Sequence, residues 1–323
     1  MALSEFELID RFFRRPARHA ILGVGDDAAL LAPTPGCELA VSVDMLVAGR
    51  HFFADVEPEA LGHKTLAVNL SDIAAMGARP RWALLAAALP EADPEWLEAF
   101  ARGFFALADA FEVDLVGGDT TKGPLNLCVT ILGEAPAGQA LRRSGAKAGD
   151  AIYVSGRLGD AALAVVHQRG RIALAPDELA PCERALLWPQ PRVELGERLR
   201  GIATSAIDIS DGLIGDLGHI LEASGVGANV DLAAVPRSSA LDRRLGGADR
   251  AAALECLLAG GDDYELCFTA PARAAADLGE LAEQLDLALT RIGTIEKRTG
   301  LVVCDEQGQA LQALPAAFDH FRA

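Results

Sequence analysis

The chain has 323 residues, 51% of them hydrophobic, with 46 acidic residues against 29 basic ones and a formal charge of −17 at pH 7. That composition supplies cores for roughly two globular domains, excludes a disordered chain, and disfavours binding of nucleic acid through its phosphate backbone. No apolar run reaches the ~20 residues that span a bilayer, Glu5, Glu7 and Asp10 precede the first basic cluster, and six scattered cysteines form no CxxC pair; the expectation is a cytoplasmic protein with neither a membrane nor a nucleic-acid partner.

Ser4-Glu5-Phe6-Glu7 is a capping-box pattern and predicts an amphipathic helix that ends near Pro16. A short strand from Ala20 runs into the glycine turn Gly25-Asp26-Asp27, and Glu38 to Asp44 alternates as a second strand that ends on a carboxylate. Pro58 opens and Gly77 closes a helix that carries Asp72, Trp82 to Leu89 reads as a buried strand, and Asp93-Pro94 caps a helix running to about Phe111. Val113 to Val116 leads into Gly117-Gly118-Asp119, and Leu125 to Gly133 is a further strand. The segment 134–150 lacks apolar periodicity, which places the domain junction there, between domains 1–137 and 148–323.

The second half restarts with the strand Ala151 to Ser155 and a helix from about Asp160, followed by one helical stretch around Glu183 to Arg200. A strand from Ser205 ends in Asp208-Ile-Ser-Asp-Gly212, and the helix Leu213 to Ser224 is stopped by Gly225. Gly260-Gly-Asp-Asp263 precedes a strand over Tyr264 to Thr269, with two more strands near Leu287 to Ile292 and Leu301 to Val303. Strands and helices interleave, so both halves are expected to be mixed α/β or α+β layers.

The chemistry concentrates in aspartates beside glycine or serine: Asp26, Asp27, Asp44, Asp72, Asp119, Asp208 and Asp211. One such residue is ordinary turn or cap chemistry. The recurrence invites a shared explanation, and divalent cations carrying phosphates supply one, because Mg²⁺ is usually held by one or two carboxylates plus substrate phosphates. The chain has no Walker-type phosphate loop, and the imitation of a dinucleotide fingerprint at Gly23-x-Gly25 places two carboxylates where a pyrophosphate must approach. No HExxH or G-x-S-x-G is present, and no cysteine has an electropositive neighbourhood in sequence, so covalent catalysis has no support. His51, one short loop beyond Asp44, reads equally as a structural or a substrate-contacting residue.

Gly25-Asp-Asp, Ser42-x-Asp44, Gly49-x-His51-Phe52, Lys64 to Ala78, Val116-Gly-Gly-Asp119, Arg143-Ser-Gly-Ala146, Asp208-Ile-Ser-Asp-Gly212 and Gly260-Gly-Asp-Asp-Tyr-Glu-Leu266 together resemble the thiamine-monophosphate kinase family, in the aminoimidazole ribonucleotide synthetase-like superfamily. The resemblance implies a two-domain fold, with an N-terminal sheet domain that forms a homodimer, a C-terminal α+β domain, and ATP bound between the domains. It further implies phosphorylation of thiamine monophosphate to thiamine diphosphate with several Mg²⁺ ions. By motif, Asp27, Ser42, Val43, Asp44, Asp72, Asp119, Asp208 and Asp211 would ligate metal, Val43 through its backbone oxygen. Gly117, Gly118, Arg143 and Ser210 would contact ATP, and His51, Asp262 and Phe318 would contact thiamine. Asp27, Asp211 and Arg143 would act directly on the transferred group. The rival functions are another ATP-dependent member of that superfamily, such as aminoimidazole ribonucleotide synthetase or selenophosphate synthetase, and a non-catalytic nucleotide- or metal-binding regulator.

Overall fold

The computed structural model describes residues 4–316, which divide into two compact units, 4–73 with 78–138 and 139–316 with 74–77. The expected contact of Phe318 lies outside the described residues.

The first unit opens with α1 (Glu5–Leu8), capped reciprocally by Ser4 and Glu7, and continues through one π-helical turn that ends at Arg14, short of Pro16. The small strands β1 (Ala20–Leu22) and β2 (Leu30–Leu31) pair with each other. Then follow β3 (Cys37–Val47), α2 (Pro58–Ala75), β4 (Arg79–Leu89), α3 (Pro94–Ala110), β5 (Asp114–Lys122) and β6 (Asn126–Pro136). The last four strands form one sheet in the order β3-β6-β4-β5, with β4 and β5 parallel and the other pairs antiparallel. Leu61, Leu66, Leu70 and Ile73 of α2 and Leu97, Phe100 and Phe104 of α3 are buried at the spacing of a helical face.

Strand lengths depart from expectation at two places that carry carboxylates. β3 runs past Asp44 to Val47, because Met45, Leu46 and Val47 keep the alternation and pair with Cys128, Leu127 and Asn126. β5 runs through Gly117-Gly118-Asp119 to Lys122, paired with Leu84 to Leu89. Asp44 and Asp119 are therefore mid-strand residues, not strand ends. β6 likewise continues to Pro136, opposite Cys37.

The second unit contains β7 (Ala151–Ser155), α4 (Asp160–Gln168), α5 (Pro176–Leu187), α6 (Val193–Leu199), β8 (Ser205–Asp208), α7 (Leu213–Ser224), β9 (Gly227–Asp231), α8 (Ser239–Leu245), α9 (Arg250–Ala259), β10 (Leu266–Ala270), α10 (Ala275–Leu285), β11 (Leu289–Glu296) and β12 (Gly300–Cys304). Its six-stranded sheet has the order β12-β9-β11-β7-β10-β8 and is antiparallel except between β9 and β12. β7, β8 and β10 are buried along their whole length, which is why they read as short continuous apolar runs. The single helix expected over Glu183 to Arg200 is two, α5 and α6, since Pro189 and Pro191 interrupt the backbone ladder between them.

Candidate active site

In the first unit, Ser42, Asp44, Asp72, Gly117, Gly118 and Asp119 are held by regular structure, while Asp27 and His51 lie in turns. Ser42 and Asp44 lie two apart on β3, so they share one face, and α2 meets that face with Asn69 and Asp72. Ser42 Oγ donates to Asp72 Oδ2 at 2.5 Å, and the Asp44 backbone N–H donates to Asn69 Oδ1 at 3.2 Å. Asn69 is fixed in turn, its amide donating to the Thr65 carbonyl at 3.0 Å. Val43 turns its side chain to the opposite, open face.

The same sheet carries Gly117, Gly118 and Asp119 at its other edge. β5 approaches β4 so closely at Gly118 that a Cβ there would collide with the Leu85 carbonyl oxygen. Asp119 and Asp44 stand on the two edge strands, three strand spacings apart, or about 14 Å. Asp27 lies exposed in the turn after β1, its N–H bound to Asp26 Oδ1 at 2.9 Å. His51 Nδ1 accepts the Val47 N–H at 3.0 Å, so a neutral ring carries its proton on Nε2 and can donate there.

In the second unit, irregular backbone does the holding. β8 ends at Asp208, and the chain turns through Ile209, Ser210 and Asp211 to Gly212, the N-cap of α7. The segment after Gly260 runs alongside this turn: the Asp262 N–H donates to the Ser210 carbonyl at 3.0 Å, the Tyr264 N–H to the Ile209 carbonyl at 2.8 Å, and the Ile209 N–H to the Glu265 carbonyl at 2.8 Å. Gly261 passes so near Ser210 that any Cβ would enter the space of its carbonyl oxygen. Asp262 and Tyr264 adopt left-handed φ angles of 69° and 49°, a strained backbone for residues with side chains.

Side-chain contacts run along the whole segment 262–265. Tyr264 Oη donates to Asp262 Oδ1 at 3.1 Å. Asp263 Oδ1 accepts the Gly159 N–H at 2.8 Å, and burial pushes its carboxyl well above the ordinary carboxylate range. Glu265 is buried against Arg192 and accepts Ser155 Oγ at 2.5 Å.

Asp216, which sequence reasoning passed over, is 3% exposed, and its Oδ2 accepts the N–H groups of Ser210, Asp211 and Gly212 at 3.0, 3.1 and 3.1 Å. Burial pushes its carboxyl up to about 7 against the pull of those donors. Arg143 adjoins β8, the carbonyl of its neighbour Arg142 accepting the Ala206 N–H at 2.9 Å. Its own carbonyl is bound by Ser224 Oγ at 3.3 Å, and Ser224 closes α7 at the end remote from Gly212, twelve residues or about 18 Å along the helix.

Ser42 and Asp72 thus stand as an oxygen pair, and Asp208 and Asp211 lie three residues apart, at the end of β8 and in the turn after it. Among the described residues no three of His, Cys, Asp and Glu gather closely enough to hold a metal ion. All-oxygen pairs suit a hard cation that completes its shell with water and phosphate. The buried thiols are held protonated: burial pushes Cys182 and Cys256 up to about 12 and raises Cys267 further.

Two mixed α/β units with carboxylates set by a sheet in one and by a strand-to-helix turn in the other match, over residues 25–135, the AIR synthase related protein N-terminal domain and, over residues 147–305, its C-terminal domain. The fold is therefore that of the AIR synthase related proteins. The thiamine-monophosphate kinase of Salmonella typhimurium is 50% identical over 298 residues, covering 91% of this chain and 90% of that one. A crystal structure of thiamine-monophosphate kinase from Stenotrophomonas maltophilia K279a superposes with a TM-score of 0.85 at 51% identity, over 96% of this chain and 99% of that one. The structure "AaThiL complexed with AMPPCP and TMP" superposes with a TM-score of 0.76 at 30% identity, over 99% of both chains. The chain belongs to the thiamine-monophosphate kinase family.

Proposed function

We propose that the protein transfers the γ-phosphoryl group of ATP directly to the phosphate of thiamine monophosphate, giving ADP and thiamine diphosphate. The observation that carries this reading is 50% identity to a thiamine-monophosphate kinase across both units, joined by the likeness to a relative solved with AMPPCP, an ATP analogue, and TMP.

A phosphate monoester has its second pKa near ~6, so the attacking oxygen is already anionic at neutral pH and no general base is required. The work left to the protein is to bring two polyanions into line. We assign Asp27, Ser42, Asp44, Asp72, Asp119, Asp208 and Asp211, with the Val43 backbone oxygen, to holding Mg²⁺, which when bound would offset the phosphate charge. Gly117, Gly118, Arg143 and Ser210 are assigned to the nucleotide. His51, through Nε2–H, and Asp262, steadied by Tyr264, are assigned to thiamine, whose thiazolium cation an acidic group can pair. Asp27, Asp211 and Arg143 are assigned to act on the transferred phosphoryl group.

A homodimer fits the same reading. The edge strand β3 presents Leu39, Val41, Val43 and Met45 on its open face, Val41 60% and Val43 58% exposed, more apolar surface than an edge strand leaves uncovered. A cytoplasmic location is supported by six free cysteines, and among the described residues no helix is long and apolar enough to cross a membrane. The test is Mg²⁺-dependent ADP release with thiamine monophosphate, thiamine and an aminoimidazole-ribotide precursor offered separately. Release with thiamine monophosphate alone is expected, and release with only the purine precursor would overturn the assignment.

A further inference from the structure

A strand that turns directly into a helix leaves several N–H groups without helical partners, and the residue at the N-cap normally satisfies one or two of them with its side chain. That solution is closed to α7. Its N-cap is Gly212, at φ 109°, and a Cβ there would strike the backbone of Ala259. The turn that leads into α7 adds the N–H groups of Ser210, Asp211 and Gly212, all within the stretch that carries the proposed metal and nucleotide contacts.

We propose that Asp216 is the positioning residue for this turn, its carboxylate reaching back from one helical turn downstream so that Ser210 and Asp211 meet the Mg²⁺-nucleotide in a fixed geometry. One oxygen, Oδ2, collects all three N–H groups. The other side of the turn is bound independently, the Ser210 carbonyl accepting the Asp262 N–H and the Ile209 carbonyl the Tyr264 N–H. Ser210 is thereby fastened through both its N–H and its carbonyl, leaving its hydroxyl and the Asp211 carboxylate for a ligand. The side chain of Asp216 is buried and touches this turn from the protein interior, so it acts through the loop and does not contact substrate. The inference rests on the functional reading that the turn contacts Mg²⁺ and ATP.

The experiment measures binding of AMPPCP with MgCl₂ by calorimetry to wild type, Asp216→Ala and Asp216→Asn, with thiamine monophosphate binding and thermal unfolding in parallel. Loss of a residue that orients ligating groups weakens metal-dependent binding by about 10–100-fold, and that loss is expected for Asp216→Ala while thiamine monophosphate binding is retained. Asp216→Asn keeps an acceptor oxygen and is expected to recover most of the affinity. Wild type that does not bind the analogue would remove the functional reading and this inference with it. Wild type that binds and Asp216→Ala that binds equally well would overturn the inference alone, as would an asparagine variant as weak as the alanine one. If Asp216→Ala does not fold, Asp216→Glu, which displaces the carboxylate by one methylene, takes its place, and unaltered binding by that variant would also overturn the proposal.

Discussion

The two units hold their carboxylates by opposite means. In the first, Ser42, Asp44 and Asp72 sit on a long strand and a long helix whose geometry is fixed by an extensive core, with Ser42 bound to Asp72 and the Asp44 backbone to Asn69. In the second, Asp208 ends β8 opposite Leu266, and Asp211 sits on the turn that follows. Its shape comes from Asp216, from close passage of Gly261, and from two strained residues at 262 and 264. Regular structure tolerates the loss of a single contact, whereas a turn assembled from interlocking backbone contacts does not.

The largest effect is therefore expected in the second unit. Asp211→Asn should lower kcat by about 10²–10³-fold, the several kcal/mol that a weakened cation ligand removes, with little change in Tm; near-normal turnover would remove the metal assignment. Gly261→Ala should come next, because its Cβ must displace the Ser210 carbonyl and a misplacement near 1 Å can cost about 10²-fold in rate. Gly218→Ala in α7, with nothing within 4 Å of the added methyl, is the control and should stay fully active. Ser42→Ala removes one hydroxyl from a helix-and-strand site and should reduce kcat/KM for ATP by only about tenfold. A Ser42 effect equal to that of Gly261 would erase the contrast between the units.

The smallest effect lies away from both sites. Glu178 is held well below the ordinary carboxylate range by hydrogen bonds from Arg244 and Arg243 to its side chain. A carboxylate with a depressed native pKa contributes stability that is fully present above about 4.5 and is lost as the pH falls towards the native value. Glu178→Gln should lower Tm at pH 7, by about 2–4 °C for each kcal/mol lost, and the gap from wild type should close as the pH is lowered below 4.5.

The same contrast explains what the sequence made legible. Helices with strong end signals could be read nearly to the residue: Asp93-Pro94 opens α3, and Gly225 closes α7. The motif aspartates were visible as a recurring type beside glycine. Strand ends were less visible, since Met45 to Val47 and Thr120 to Lys122 join ladders only because a partner strand lies alongside. Asp216 was not legible as a loop-holding group. An acid in a helix's first turn ordinarily complements the helix dipole, and only the fold shows its side chain reaching back to Ser210. The placement of Arg143 was equally hidden, because it depends on the pairing of residues 142–146 with Ala206 and Ser224.

The central claim is direct transfer between two phosphates without a covalent enzyme intermediate. It is tested most directly by incubating the protein with Mg²⁺, thiamine monophosphate and ATP labelled in its γ-phosphate. The label should appear in the terminal phosphate of thiamine diphosphate in one-to-one proportion with ADP, and none should remain on the protein. Label recovered as inorganic phosphate, or on the chain itself, would contradict it.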